Sequence, residues 1–255
     1  DVAADHPARG RYHVLCGRTQ LAFGTAADAA TSAEEGARWA GRYGRAADEI
    51  EAKLLSGDIQ VRRGDFAEAV ITLEDAQRCA EEHHLGRAWG EAFFAWAEVA
   101  GLVPGMTTAG ERAVTQALTR PAVQAQEEVE GWLLLARGHL ELRAGHFDQA
   151  EVAARDALSK LPVDTLASVR VKWLLGCAAR ERGHLDEALE RLDDALAALR
   201  DFGAEPALLW VCRADIALVH NRSRDYARTR NLVEAGPRWV DRRGARPMAG
   251  LLRLI

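Results

Sequence analysis

The chain has few lysines: three of its 33 basic residues are lysine (Lys53, Lys160 and Lys172), and the other 30 are arginine. With 38 acidic residues, the net charge is −5. The sequence therefore lacks the excess of positive charge by which proteins bind nucleic acid or anionic membranes, and we expect neither as a direct partner. Abundant arginine together with abundant alanine is typical of proteins from GC-rich bacteria.

Long apolar segments are absent as well. No run approaches the roughly 20 residues that a helix needs to cross a bilayer. Residues 1–9 contain neither an initiator methionine nor the apolar centre of a signal peptide, and we expect the chain to be a fragment of a longer protein. The four cysteines, Cys16, Cys79, Cys177 and Cys212, lie far apart in the sequence and form no CxxC pair. Reduced cysteines in a cytoplasmic protein are therefore expected.

Patterns that indicate catalysis or a cofactor are also missing. The sequence contains no G-x-S-x-G, Walker A, G-x-G-x-x-G or H-E-x-x-H motif. His83 and His84 are adjacent, so their side chains would point about 100° apart on a helix, which does not suit one metal ion. We predict no enzyme activity, no metal site and no cofactor.

What the sequence does contain is a repeated spacing of small residues. A glycine is followed by a second glycine after seven residues and by an alanine after five more. The four copies are Gly17/Gly24/Ala29, Gly57/Gly64/Ala69, Gly138/Gly145/Ala150 and Gly176/Gly183/Ala188. The copies begin 40, 81 and 38 residues apart, and 81 is close to two periods. A fixed period near 40 predicts a stack of similar helical units rather than one globular core.

Within each unit, apolar residues at intervals of three, four and seven predict two helices, which we name helix A and helix B. In the clearest copy, helix A ends at Gly183, because glycine readily adopts the left-handed conformation found at helix ends. Gly176 and Ala188 are expected to be small because helices A and B cross there.

The spacing predicts six units, at residues 9–43, 46–84, 86–120, 122–162, 164–202 and 207–243, and the start of a further helix at 246–255. The third unit fills the double period, lacks the motif glycines and has Pro104-Gly105 in place of the tight turn. The sixth has Arg224 where the turn glycine is expected. The predicted fold is all-α: a single α-solenoid of about six antiparallel helical hairpins.

The repeat resembles the tetratricopeptide repeat (TPR). Unit 4 matches the family's pattern with Gly138, Gly145, Phe147, Ala150, Ala157 and Pro162, and unit 2 with Gly57, Gly64, Phe66, Ala69 and Ala76. The period of 38–40 residues exceeds the usual 34. Such lengthened repeats resemble those of bacterial signal-responsive transcription regulators and of TPR regions attached to caspase-like proteases. The resemblance implies a right-handed superhelix whose A helices line a concave binding surface.

Counting from each motif glycine places aromatic and basic side chains on this predicted concave surface. Aromatic rings can stack on an apolar side chain while arginines bind a carboxylate through two parallel hydrogen bonds. The alternative is that the tryptophans pack between helices and the arginines are solvated. A lone histidine here is expected to be a hydrogen-bonded wall residue rather than a catalyst. The candidate binding residues are Arg62, Phe94, Trp132, His139, Arg143, Arg170, Trp173, Arg180 and Arg222.

These features predict a non-catalytic interaction or regulatory module that binds a peptide or partner protein through its concave helix-A face. The rest of a longer chain and a second copy of the array are both candidate partners. The alternative is a small-molecule-sensing arm of a bacterial transcription regulator, in which a ligand in the groove acts on an attached ATPase or DNA-binding unit.

Overall fold

The computed structural model describes residues 6–23, 25–202 and 206–233, and within them all regular structure is helical. Beyond residue 233, the predicted end of the sixth unit and the helix at 246–255 lie outside the described residues. The described helices are α1 (Arg9–Phe23), α2 (Ala26–Arg42), α3 (Ala46–Arg63), α4 (Phe66–Glu82), α5 (Gly86–Ala100), α6 (Thr107–Leu118), α7 (Pro121–Gln124), α8 (Glu127–Ala144), α9 (Phe147–Lys160), α10 (Leu166–Glu181), α11 (Leu185–Asp201), α12 (Pro206–Arg222) and α13 (Tyr226–Val233).

Helices that follow one another in the chain pack against each other. The pairs α1–α2, α3–α4, α8–α9, α10–α11 and α12–α13 form hairpins, and α2–α3, α4–α5, α9–α10 and α11–α12 join one hairpin to the next. This arrangement confirms the predicted all-α solenoid. None of the described helices is long and apolar enough to span a membrane.

Local sequence explains where several helices begin. The Thr25 side chain accepts a hydrogen bond from the Asp28 backbone N–H and caps α2. At α10, Thr165 and Ser168 satisfy each other's backbone N–H groups in a capping box. Such caps stabilise a helix because its first N–H groups have no partner within the helix.

The turns between helices A and B use the left-handed backbone conformation. Gly64, Gly145 and Gly183 have φ of 86°, 84° and 82°, which confirms the prediction for the turn glycine. Gly24 lies outside the described residues. Arg224 occupies the equivalent place in the sixth unit and also has a positive φ, 61°. The backbone therefore makes the same turn there without glycine.

The first motif glycine of each copy lies where helices pack most closely. A Cβ added to Gly57 would lie 2.8 Å from Leu73 Cδ2, and one added to Gly176 would lie 2.7 Å from Leu192 Cγ. Both leucines belong to helix B of the same hairpin, so a larger residue would push the two helices apart. The motif alanines Ala29, Ala69, Ala150 and Ala188 are fully buried.

The third unit departs from the hairpin that the period predicts. Helix α6 packs mainly on α8 and makes only slight contact with α5, while α5 itself packs closely on α8. The glycines of this unit explain the change, because Gly90 faces Trp132 and Gly110 faces Leu140, both on α8. Gly105 has the positive φ of a turn glycine, 83°, and Gly110, five residues later, stands at the place of the motif alanine and is buried.

Candidate functional site

Four predicted binding residues lie together where α5, α8 and α10 meet. The Phe94 ring lies 5.5 Å from the Trp132 ring and 5.3 Å from the His139 ring, centroid to centroid. The Arg170 guanidinium lies 5.1 Å from the Phe94 centroid, and its Nη1 donates to Glu98 Oε2 at 2.9 Å. Arg170 therefore reaches across α8 to α5, and these side chains pack on one another instead of lining an open groove.

The environment of His139 keeps its imidazole neutral. The pKa of His139 is lowered to about 4, chiefly by burial; the charge of Glu98 opposes this shift, and the nearby Arg170 and Arg143 add to it. Trp132 is buried, and its indole N–H has no hydrogen-bond partner among the described residues. The described contact of the half-buried imidazole is with the Phe94 ring, and its predicted role as a hydrogen-bonded wall residue stays a prediction.

Trp173 and Arg180 both bind Asp215, which joins α10 to α12. Trp173 Nε1 donates to Asp215 Oδ2 at 2.7 Å, and Arg180 Nη1 donates to Asp215 Oδ1. Burial alone would lower the pKa of Arg180, but the Asp215 carboxylate raises it above its ordinary value. Arg180 is only 9% exposed, so its guanidinium is committed to an internal ion pair.

The remaining predicted arginines differ in whether their guanidinium groups already bind oxygen atoms of the protein. Arg222 donates to the Arg180 carbonyl at 2.7 Å and to Glu181 Oε2 at 2.6 Å. Arg62 holds both carboxylate oxygens of Asp58, at 3.1 and 3.0 Å. Arg143 is exposed, and no described carboxylate pairs with it. Of the predicted clamp residues, Arg143 is thus the one most accessible to a ligand.

A groove that the sequence did not predict opens between α4 and α6. Its volume is about 460 Å³, and Trp89 and Phe93 of α5 form its floor. Its walls are Glu74, Gln77, Arg78 and Glu81 from α4, Ala113, Gln116 and Ala117 from α6, and Arg120 from the turn after α6.

Polar groups at this groove are partly satisfied within the protein. The Arg120 guanidinium lies 5.3 Å from the Trp89 ring centroid and also pairs with Glu81 across the groove. Glu74 Oε1 accepts a hydrogen bond from Trp96 Nε1 at 3.2 Å. The Gln77 amide nitrogen is buried and has no partner among the described residues. An aromatic floor with polar walls suits one inserted side chain of a ligand.

A second, smaller groove of about 290 Å³ lies between α9 and α11, over α10. Arg155, Lys172 and Arg191 line it together with Asp194. Two of these cations are already paired, since Arg155 binds Glu151 and Arg191 binds Glu187. This groove has the same position between two B helices as the larger one, but no aromatic floor.

The structure brings one cysteine close to a histidine. Cys79 Sγ lies 3.9 Å from His83 Nδ1, one turn along α4, a pairing that the four-residue spacing could have indicated. Burial raises the pKa of Cys79, which disfavours the thiolate that a nucleophile needs. Burial also raises the pKa of Cys212 to about 12. All four cysteines are free thiols, as predicted.

One possible set of metal ligands could not be recognised from the sequence. Glu111 of α6, Glu141 of α8 and His146 of the α8–α9 turn place their ligand atoms within 4.8 Å of one another. Glu111 lies 30 residues before Glu141, and no local spacing connects them. The set arises only because α6 packs against α8.

The comparisons with known proteins leave the family open, because no family model and no curated protein matches this chain significantly.

Proposed function

We propose that this chain is a non-catalytic interaction module, a TPR-like solenoid that binds a peptide segment of a partner protein. The observation that carries the proposal is the groove between α4 and α6, where an aromatic floor of Trp89 and Phe93 is reached between two helical walls. Binding a peptide through side-chain insertion into such a groove is a common mode of recognition in helical proteins.

The composition of the groove favours a peptide with an apolar anchor residue. Aromatic side chains supply large contact area, and they are enriched among the residues that dominate binding energy. Arg120 now lies over Trp89 and would move aside toward Glu81, with which it already pairs. Glu74, Gln77 and Gln116 then provide hydrogen-bonding groups for the ligand backbone on either side.

The helix-A face stays the alternative binding surface. Its side chains between α5 and α12 are largely occupied by one another, through Phe94, Arg170 and the Asp215–Arg180 pair. A ligand carboxylate would have to compete with these internal carboxylates. Arg143 is the side chain that best represents this surface in a test, because it is exposed and its replacement breaks no described ion pair.

Two variants distinguish the surfaces. Gln116 is exposed and lines the groove, so Gln116→Trp fills it with little effect on folding; Arg143→Glu reverses the charge on the helix-A face. Peptides selected from a random phage-displayed library on the wild-type chain serve as ligands, with affinity measured by fluorescence anisotropy. We expect binding at least about tenfold weaker in Gln116→Trp, which corresponds to about 1.4 kcal/mol, and unchanged in Arg143→Glu.

The opposite pattern, weaker binding in Arg143→Glu alone, would assign the ligand to the helix-A face. If no peptide is selected, or if neither variant changes the affinity, the peptide-binding proposal is wrong.

Sensing of a small molecule is the second candidate, and the groove volume of about 460 Å³ supports it because pockets for small-molecule ligands measure about 300–1,000 Å³. Trp89 would report such a ligand by a change in its fluorescence. Attachment to a transcription regulator is a further part of this proposal, which the full-length sequence would decide.

A further inference from the structure

The contact between α6, α8 and the α8–α9 turn brings together two carboxylates and an imidazole. Ligand atoms of Glu111, Glu141 and His146 all lie within 4.8 Å of one another. His146 Nδ1 lies 2.9 Å from Glu141 Oε2. Glu141 and His146 lie five residues apart at the end of α8, and Glu111 joins them only because α6 packs against α8.

Protein contacts explain only part of this arrangement. Arg137 Nε lies 3.5 Å from Glu141 Oε1, which leaves the other oxygen, Oε2, to face His146. Glu141 is 14% exposed and is therefore oriented by its surroundings. Glu111, in contrast, has no cationic partner of its own among the described residues, although a second carboxylate lies beside it. Two ionised carboxylates at this distance repel each other unless a cation lies between them.

We propose that Glu111, Glu141 and His146 bind a divalent transition-metal ion, with Zn²⁺ as the best match. Carboxylate oxygen and imidazole nitrogen are ordinary Zn²⁺ ligands, at about 2.0–2.2 Å from the metal. Ligand atoms on a tetrahedral Zn²⁺ are then about 3.4 Å apart. Small rotations of His146, which is mostly exposed, and Glu111 complete the set, and water takes the fourth position.

The ion would tie α6 to α8. Helix α6 makes only slight contact with α5, so its placement depends on its packing against α8. Because α6 forms one wall of the groove over Trp89 and Phe93, metal binding would also hold the width of that groove. The metal site itself does not depend on the proposed peptide binding.

Isothermal titration with Zn²⁺ tests the proposal on the whole chain. We expect one ion per chain, bound at least about tenfold more weakly by Glu111→Gln and by His146→Gln. His184→Gln is the matched control, because His184 occupies the same turn position 38 residues later, where Ala179 stands in place of Glu141. Its affinity should equal that of the wild type. Circular dichroism confirms that each variant is folded.

Two further measurements locate the ion. Zn²⁺ should slow amide hydrogen exchange in residues 107–118, and a chelator should reverse the effect. Cys79→Ser should bind Zn²⁺ as the wild type does. The proposal is overturned if the wild type binds no Zn²⁺, if affinity is unchanged in both Glu111→Gln and His146→Gln, or if Cys79→Ser abolishes binding, since the ion would then be held by Cys79 and His83.

Discussion

The fifth and third units have similar lengths, but their helices pack against different partners. In the α10–α11 hairpin, Gly176 lets Leu192 of the following helix approach, and Ala188 is buried at the crossing. In the third unit, α5 and α6 barely touch, and Gly90 and Gly110 both face α8. The position of the small residues thus decides which helix becomes the close partner.

This difference has a consequence for function. A regular hairpin covers the side of its own helix A that faces helix B. In the third unit α6 barely touches α5, and Trp89 and Phe93 of α5 form the floor of the groove between α4 and α6. The same displacement brings Glu111 to Glu141 and His146. The metal-ligand set therefore arises from the irregular unit, whereas a groove between successive B helices also occurs between α9 and α11, without an aromatic floor.

The sharpest way to break the comparison is to enlarge one alanine near the start of helix B in each of the two units. Ala188→Trp places nine more heavy atoms at a fully buried crossing, and we expect the free energy of unfolding to fall by more than about 3 kcal/mol. Ala109→Trp, at an exposed position next to Gly110 in α6, should change it by less than about 0.5 kcal/mol. Urea unfolding followed by circular dichroism measures both.

Similar losses for the two alanine variants would mean that Ala109 is buried and that α6 packs through a different face of the helix. The groove between α4 and α6 would then be in doubt as well.

The close contact between α5 and α8 can be tested through the pH dependence of stability. The pKa of His139 is about 4 in the folded protein and about 6.5 in the unfolded chain, so between these values the unfolded state binds more protons. The contribution of the neutral His139 to the free energy of unfolding is complete above pH 6.5 and is lost as the pH falls toward 4. We expect it to be about 2–3 kcal/mol after allowance for the partial exposure of the ring.

The measurement compares urea unfolding of the wild type and His139→Gln at pH 7.5 and pH 4.5. The stability advantage of the wild type should shrink by about 2 kcal/mol at the lower pH. An advantage that is the same at both pH values would show that His139 is not enclosed by Phe94 and its neighbours.

The smallest expected effect concerns the turn of the sixth unit compared with the regular turns. Arg224 has a φ of 61°, which costs a non-glycine residue about 1 kcal/mol. Arg224→Gly should therefore raise the free energy of unfolding by up to about 1 kcal/mol. Gly183→Ala, at the equivalent turn, should lower it by a similar amount, and a decrease in both variants would contradict the shared geometry.

The regular part of the fold could be predicted from the sequence because its causes are local. Glycine at a left-handed turn and apolar residues at helical spacing act within one hairpin, and they located the turns at Gly64, Gly145 and Gly183. Placing aromatic and basic residues near one another on the A helices was also within reach. The sequence could not show which of these residues bind each other, because the partners of Arg170 and Arg180 lie on other helices, at Glu98 and Asp215.

By itself, the sequence determined that this protein is a stack of helical hairpins, since a period of about 40 residues with small residues in register permits little else. Only the tertiary structure decided that α6 leaves α5 for α8, that Trp89 and Phe93 become a groove floor, and that Glu111 meets His146. The physical reason is that a repeat specifies contacts between neighbouring elements. Where the repeat is irregular, the contacts depend on residues far apart in the chain, such as Gly90 and Trp132. Whether such residues fit together is decided by three-dimensional packing.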